Sequence, residues 1–324
     1  MSVGLFAALL AVIAGFAAQR GSICSVVAVG DLVRRGDARR FSGFFECAIW
    51  SLIVLTAFGE GAGRGAFSDY PWGARAALGG AVFGVGAAMN GACAFGTAAR
   101  LGRGELAFLG TLAGFVLGAF VISQFAAPPA ASPVSASVGG GPFILALVAG
   151  FVLIQIVRLV TSDVAPRRAF AALMKPAWPP SLAMAAIGLA NAGLLIIFKP
   201  WPYSALLVDL GAKGHADGAL LKTLLALAFV LGAGIGALTA GRFRIEAPSL
   251  GGFGAKIFAG FFMGAGAFLV PGGNDAMVLY GLPLLLPYAM AAYAAMIAAI
   301  AVFILAEEGL RRLQGSVRPA PRRA

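Results

Sequence analysis

Long apolar stretches alternate with short polar or basic segments along the chain, a pattern that predicts transmembrane helices. A helix needs about 20 mostly apolar residues to cross the hydrocarbon core of a bilayer. Nine stretches approach this length, at 3–19, 41–59, 74–91, 105–124, 142–160, 180–198, 219–241, 254–270 and 284–306. The pattern therefore predicts an all-α integral membrane protein with about nine transmembrane helices.

Four shorter apolar pieces lie between these spans, near 22–34, 91–101, 202–211 and 273–282. Each is too short to cross a bilayer and is flanked by Gly, Pro or a polar residue. Non-helical backbone at membrane depth is tolerated only where protein buries it or where it lines a water-filled cavity. We therefore predict four half-helices or re-entrant segments that face one another inside the protein.

The order of spans and short pieces repeats itself. The segment GGAVFGVGAAMNGACAFGTAARLG from position 79 parallels AGFFMGAGAFLVPGGNDAMVLYGLP from position 259, and GFAAQRGSICSVVAVGDL from position 15 parallels LANAGLLIIFKPWPYSALLVDLG from position 189. An odd span between two copies would invert the second, and inverted repeats with broken helices place a substrate site near the midplane. The alternative is chance similarity between Gly- and Ala-rich segments.

The predicted organisation has three parts. Residues 1–141 form the first inverted repeat with a flexible external connector at 125–141, and residues 142–178 form a linking transmembrane helix and a cytoplasmic loop. Residues 179–324 form the second inverted repeat and a basic C-terminal tail.

Composition and charge agree with a membrane protein. The chain is 60% hydrophobic and only 11% charged, with a mean hydropathy of +0.92, whereas soluble domains carry about 25% charged residues. The net charge of +11 comes from residues between the spans and in the tail, which indicates cytoplasmic loops rather than nucleic-acid binding. We predict a multi-pass protein of the cell inner (plasma) membrane with an uncleaved first span, the N-terminus outside and the C-terminus cytoplasmic, in contact with membrane lipid.

The residues that usually carry enzyme chemistry are sparse. The three cysteines are far apart and form no CxxC, and His215 is the single histidine, which argues against a disulfide framework or a metal site. The sequence contains no Ser-His-Asp set, no HExxH and no phosphate-binding loop with its lysine. The prediction is a protein that is not an enzyme and has no cofactor and no bound metal.

Two of the cysteines lie beside predicted helix breaks. In MNGACAFGT, Gly91 lets the backbone turn, Asn90 can hydrogen-bond peptide groups freed by the break, and Cys93 follows. A helix that begins at such a break points free N–H groups and its positive dipole end at the cavity, which suits an anion. A soft sulfur at the same place favours a sulfur-containing anion.

The segment RGSICS repeats this arrangement, with Arg20 and Ser22 before Cys24. Cys47, within an apolar span, is interpreted as a small apolar filler. Glu46 beside it is an acid inside the membrane, where ionisable groups are usually functional, and it can reach water or pair with Arg20 or Arg40.

The polar pair in PGGNDAMVLYG admits two interpretations. Asn274 and Asp275 can cap the half-helix that follows them, or they can line a substrate pathway.

The motifs QRGSIC and MNGACAFGT, together with the nine-span layout, resemble the YeeE/YedE family of sulfur-transport proteins, which includes thiosulfate permeases. The resemblance implies an hourglass of inverted repeats in which Cys24 and Cys93 match the first two pathway cysteines and pass thiosulfate along. The family's third cysteine follows two glycines, and here Asn274 stands in that place.

Three hypotheses follow from these observations. The leading one is a permease for thiosulfate or another small inorganic sulfur-containing anion, with Cys24, Cys93, Asn90, Gly91, Arg20, Ser22, Asn274 and Asp275 along its pathway. The second is a transporter of a different small solute, for example a selenium species. The third is a membrane sulfur-relay component that partners a soluble TusA-like sulfurtransferase.

Overall fold

The computed structural model describes residues 2–58, 68–134, 142–161, 173–198 and 201–317. Almost all of this part of the chain is helical. The helices, numbered here in chain order, are α1 (Ser2–Arg20), α2 (Ser25–Arg35), α3 (Arg39–Phe58), α4 (Ala74–Asn90), α5 (Ala94–Arg103), α6 (Phe108–Ser123), α7 (Pro142–Thr161), α8 (Pro180–Phe198), α9 (Tyr203–Lys213), α10 (Ala219–Leu238), α11 (Leu250–Leu269), α12 (Asn274–Ala276, continued by a π-helical turn over Met277–Gly281) and α13 (Pro287–Val317).

The predicted membrane class is confirmed. Each of the nine predicted spans coincides with a helix, and the four short pieces coincide with α2, α5, α9 and α12 with its π-helical turn. Within the described ranges, seven helical segments are long and apolar enough to cross a membrane, and α6 and α7 provide two shorter apolar helices. The number of nine transmembrane helices stays a prediction.

The helices contact one another reciprocally. Helix α6 packs on α11 and α4 packs on α13, while α1 packs on α10 and α3 packs on α8. Between them, α4 contacts α11 and α1 contacts α8. Two copies of one unit related by a pseudo-twofold axis would produce these pairs. The boundaries of the two copies stay a prediction from the sequence.

The two first-copy half-helices end on basic residues. Arg34 and Arg35 lie in the last turn of α2, and Arg100 and Arg103 lie in the last turn of α5. Cations at a helix C-terminus interact favourably with the helix dipole. These charges therefore favour an orientation in which the N-termini of α2 and α5 point towards the protein centre and their C-termini towards its surface.

Part of the connector after α6 is paired with an earlier segment. Ser132–Pro133 pairs with Ser68–Asp69 in a short antiparallel ladder, and Ser68 is opposite Pro133. The flexible external connector at 125–141 stays a prediction, and residues 135–141 lie outside the described residues. Several basic residues used to predict the orientation also lie outside them: Arg64, Arg167, Arg168, Lys199, Arg318, Arg322 and Arg323.

Glu46 pairs with a residue that the sequence analysis did not consider. Its Oε1 accepts a hydrogen bond from Arg158 Nη1 at 2.9 Å. Arg158 is on α7, so the pair joins α7 to α3. The expected partners have other contacts, because Arg40 pairs with Asp31 and Arg20 with backbone and hydroxyl groups. Glu46 therefore attaches the linking helix to the first copy.

Candidate functional site

The N-termini of the four half-helices are linked by hydrogen bonds in the protein interior. Cys24 precedes α2, Cys93 precedes α5, Pro202 precedes α9 and Gly273 precedes α12. None of these four preceding residues caps its own helix with a side chain. The N–H groups at these helix starts would be orphan donors, so their partners must come from elsewhere.

The two cysteine segments cap each other. The Ser25 N–H donates to Cys93 Sγ at 3.1 Å, and the Cys93 N–H donates to Cys24 Sγ at 3.4 Å. Both thiols are free and buried. Gly96 allows this approach, since a Cβ at its position would lie 2.8 Å from Cys24 Sγ. The structure therefore brings together the two cysteines that the sequence placed at separate breaks.

Asn274 connects the segments that follow both cysteines. Its Oδ1 accepts a hydrogen bond from the Ala94 N–H at 2.9 Å, and its Nδ2 donates to Ser25 Oγ at 3.2 Å. Ala94 and Ser25 are the first residues of α5 and α2. The side-chain oxygen of Asn274 thus accepts a hydrogen bond from an N–H group at the start of α5 that could otherwise bind an anion.

Asp275 makes similar hydrogen bonds at the start of α9. Its Oδ2 accepts from the Ser204 N–H at 3.2 Å, and its Oδ1 accepts from the Ser204 hydroxyl. The same hydroxyl accepts from the Gly273 N–H at 2.7 Å. The Asn274 side chain therefore reaches the starts of α5 and α2 instead of its own helix. The Asp275 carboxylate interacts with the Asp275 and Ala276 N–H groups at the start of its own half-helix as well as with Ser204, so a cap role stays open for Asp275.

Asn90 holds the break between α4 and α5 together. Its Nδ2 donates to the Ala92 carbonyl at 2.8 Å and to Thr97 Oγ1 at 3.0 Å, and its Oδ1 accepts from Thr111 Oγ1 at 2.8 Å. Its backbone carbonyl accepts from the Lys256 ammonium. Asn90 therefore supports the backbone that positions Cys93, and its side-chain polar atoms are used within the protein.

The turn itself is completed by Gly91, which has a φ of 68°. Its N–H donates to the Ala88 carbonyl at 3.0 Å, as in a helix that ends in a left-handed residue. Gly91 is exposed, and it lines a cavity described below. A residue with a Cβ would be strained at this φ.

The remaining two predicted residues have no hydrogen bond to the cysteine segments among those described. The Arg20 guanidinium donates to the Lys175 carbonyl and to Thr239 Oγ1, the latter at 2.8 Å. Ser22 is exposed in the turn before Cys24. Arg20 ties the end of α1 to the end of α10 and to the segment before α8, which is a structural contact.

Sequence analysis missed several polar residues of this centre. Ser204 and Tyr203 begin α9, and the Tyr203 hydroxyl donates to the Ala94 carbonyl at 2.6 Å. The proline-rich break before them could have indicated a polar site, because a Ser two residues after Pro202 is placed to contact other helix starts. Lys256, which lies within the predicted span 254–270, was another signal.

A second buried polar cluster fixes the π-helical turn. Asn191 Nδ2 donates to the Leu279 carbonyl at 2.6 Å and to Ser51 Oγ at 3.2 Å, and Asn191 Oδ1 accepts from Trp201 Nε1 at 3.0 Å. These contacts join α3, α8 and the start of α9 to the π-helical turn. A π-helical turn contains one residue more than an α-helical turn, and such turns are frequent at functional sites.

Two cavities lie near opposite ends of α13. The wide cavity has a volume of about 500 Å³, and its lining includes Tyr70, Trp201, Pro202, Asp209, Lys222 and Ala276. Tyr70 of this cavity stacks edge-on against Tyr288 at the start of α13. The arginine cavity has a volume of about 370 Å³, near the other end of α13, and its lining includes Val27, Arg34, Arg35, Gly91, Glu307 and Arg311.

Asp209, which lines the wide cavity, is paired with two lysines. Asp209 accepts from Lys213 Nζ at 2.9 Å and lies 3.9 Å from Lys222 Nζ. The hydrogen bond that Lys213 donates to Asp209 raises the pKa of Lys213 above its ordinary value. Among the described residues there is no group of three His, Cys, Asp or Glu placed to hold a metal ion.

The structure is that of a multi-pass membrane protein with an internal polar centre. Its half-helices have buried polar groups at their N-termini, and cavities lie near both ends of the long helix α13. The sulphur transport family (YeeE/YedE) matches residues 20–302, and the chain belongs to this family. Membership supports a role in sulfur transport with an anionic sulfur substrate. A search of curated proteins finds no match.

Proposed function

We propose that the protein is a permease for thiosulfate or another small inorganic sulfur-containing anion, which passes Cys24 and Cys93 on a central route. The route would run from the wide cavity through the half-helix N-termini to the arginine cavity. In the inner membrane, with the predicted orientation, this direction leads from the outside to the cytoplasm.

The order of residues between the two cavities supports this proposal. Ala276 lines the wide cavity, and the two residues before it are Asp275 and Asn274. Asn274 contacts the residues that follow both cysteines, while Gly91, two residues before Cys93, lines the arginine cavity. Residues one to three positions from the Asn274 and Cys93 contacts therefore line the two cavities, which supports a route between them.

The chemistry of the groups suits transfer rather than storage. Thiols are weak hydrogen-bond donors and polarisable, so each makes a contact that a sulfur-containing anion can leave quickly. Backbone N–H groups at helix starts add donors and a favourable dipole. Those groups are occupied by Cys93, Asn274 and Asp275 side chains in this structure, and an anion would have to displace them.

The direct test is uptake by purified protein in liposomes. We expect labelled thiosulfate to enter protein-containing vesicles faster than protein-free vesicles, and an excess of unlabelled thiosulfate to suppress the signal. Sulfite, sulfate, sulfide and selenite would be compared as competitors. Equal uptake with and without protein would reject thiosulfate as the substrate.

Asn274 favours a second candidate, a transporter whose selectivity has shifted to another small solute such as a selenium species. An amide makes stronger and more directional hydrogen bonds than a thiol, and this one joins two helix starts. Under this hypothesis, Asn274→Cys would create or raise thiosulfate flux by about tenfold, equivalent to about 1.4 kcal/mol at the barrier.

The same vesicle assay measures this variant. Asn274→Ser is the matched control, because it shortens the side chain without adding a thiol. A rise in thiosulfate flux with cysteine alone supports the shifted selectivity, whereas unchanged or lower flux in both variants contradicts it.

A further inference from the structure

We propose that Asp275 is the proton-binding residue of this transporter, and that anion passage requires proton uptake at its carboxylate. This inference rests on the proposed function and adds its energy source: an inward proton gradient drives anion entry. The observations that carry it are the burial of Asp275, its lack of a basic partner among the described residues and its position between the wide cavity and the thiols.

The carboxyl group is enclosed by protein. Asp275 is 3% exposed, and both oxygens accept hydrogen bonds from one residue, Ser204. The neighbouring aromatic residues Phe95, Trp201 and Tyr203 line a small space of about 10 Å³ beside it. An ionised carboxylate in such surroundings is costly unless it is paired.

No basic side chain in the described part of the chain pairs with Asp275, in contrast to the other buried acid, Glu46, which has Arg158. The elements packed against α12 are α5, α9 and the π-helical turn. The Tyr203 phenol at the start of α9 lies near Asp275 and near the Cys93 and Cys24 thiols, and none of these side chains supplies a positive charge. The Asp275 and Ala276 N–H groups supply only partial charges, so a proton is the available full counter-charge.

The position of Asp275 places its negative charge on the proposed route. Asp275 is adjacent both to Ala276, which lines the wide cavity, and to Asn274, which contacts the cysteine segments. An anion leaving the wide cavity would meet a carboxylate of the same sign at short range, where a poorly solvated site strengthens repulsion. Proton transfer from cavity water to the carboxylate removes this repulsion.

Protonation would also loosen the closed arrangement. An ionised Asp275 accepts from both the N–H and the hydroxyl of Ser204, and charge-assisted hydrogen bonds are stronger than neutral ones. The neutral carboxyl group holds the start of α9 less tightly, which frees an N–H donor for the anion. Release of the anion and the proton to the other side restores the closed arrangement.

The experiment compares the wild type with Asp275→Asn, which keeps the shape and an oxygen acceptor for the Ser204 N–H. Thiosulfate uptake into liposomes is measured over a series of external pH values. We expect wild-type uptake to rise by up to about tenfold for each unit of external acidification, the limit for one titrating group. Asp275→Asn should transport with no such pH dependence, and Asp275→Glu should restore it.

Asp37→Asn is the matched control, since Asp37 is a half-buried carboxylate that pairs with Arg39 in the loop before α3, away from the half-helix N-termini, and its removal should leave the profile unchanged. A second readout is an infrared pH titration of the purified protein, in which the protonated carboxyl band should be lost in Asp275→Asn alone. Equal pH profiles in wild type and Asp275→Asn, or a wild type whose titration contains no Asp275 band, would overturn the proposal.

The two assays separate the possible failures. If wild-type vesicles take up no thiosulfate, the proposed substrate is wrong, and the infrared titration still decides whether Asp275 binds a proton. If thiosulfate enters but its uptake is independent of pH in the wild type, transport stands and proton coupling is rejected.

Discussion

Cys24→Ser and Cys93→Ser should each reduce thiosulfate uptake by about tenfold or more, because the loss of about 1.4 kcal/mol at a transport barrier slows passage tenfold. Each sulfur accepts a hydrogen bond from the other cysteine's segment. A serine hydroxyl can accept the same bonds, so the helix starts stay capped. What changes is the soft sulfur contact offered to the anion.

The measurement is initial uptake at equal amounts of folded protein in the vesicles. Cys47→Ser is the matched control: Cys47 is also fully buried, but it lies within α3 and not at a helix start. It should retain wild-type uptake once folding is verified by size-exclusion chromatography. Full uptake by a Cys24→Ser/Cys93→Ser double variant would show that the route does not use the thiols.

Gly264→Ala should strongly destabilise the protein. An added Cβ at this position on α11 would lie 1.9 Å from the Phe115 carbonyl oxygen of α6, and backbone cannot move away as a flexible side chain can. Overpacking of this kind costs about 3 kcal/mol. Close helix contact through small residues is a main source of stability in membrane bundles, so α6 and α11 would separate or shift.

Gly254→Ala tests whether the effect is steric. Gly254 is in the same helix, and an added Cβ there meets nothing within 4 Å, so the variant should be neutral or slightly stabilised by better helix propensity. Thermal unfolding in detergent, followed by labelling of the buried cysteines, measures both variants. Equal melting temperatures would contradict the packing assigned to α6 and α11.

Much of the architecture was predictable because it depends on local pattern. The length of an apolar run predicts a spanning helix, and Gly, Pro or Asn at its end predicts a break. All nine long stretches and all four short pieces predicted in this way coincide with helices. The family resemblance rested on the same segments, around Cys24 and Cys93, and the match over residues 20–302 confirms it.

The partners of the polar residues were less predictable. The sequence left Glu46 either reaching water or pairing with Arg20 or Arg40, but α7, which packs on α3, supplies Arg158 instead. Arg20 sits next to the first break in the sequence, yet its side chain points to Thr239 and Lys175. Neighbours in the chain share a face only within one helix, whereas these residues meet across different helices.

By itself, the sequence determined the membrane class, the helix breaks and the presence of two thiols beside them, because these follow from composition and spacing within single segments. Only the tertiary structure decided that the half-helices cap one another. Asn274 and Asp275 contact the starts of α5 and α9, and these contacts are made by segments about 180 and 70 residues apart. Such long-range pairs depend on how the helices pack, which no local pattern encodes.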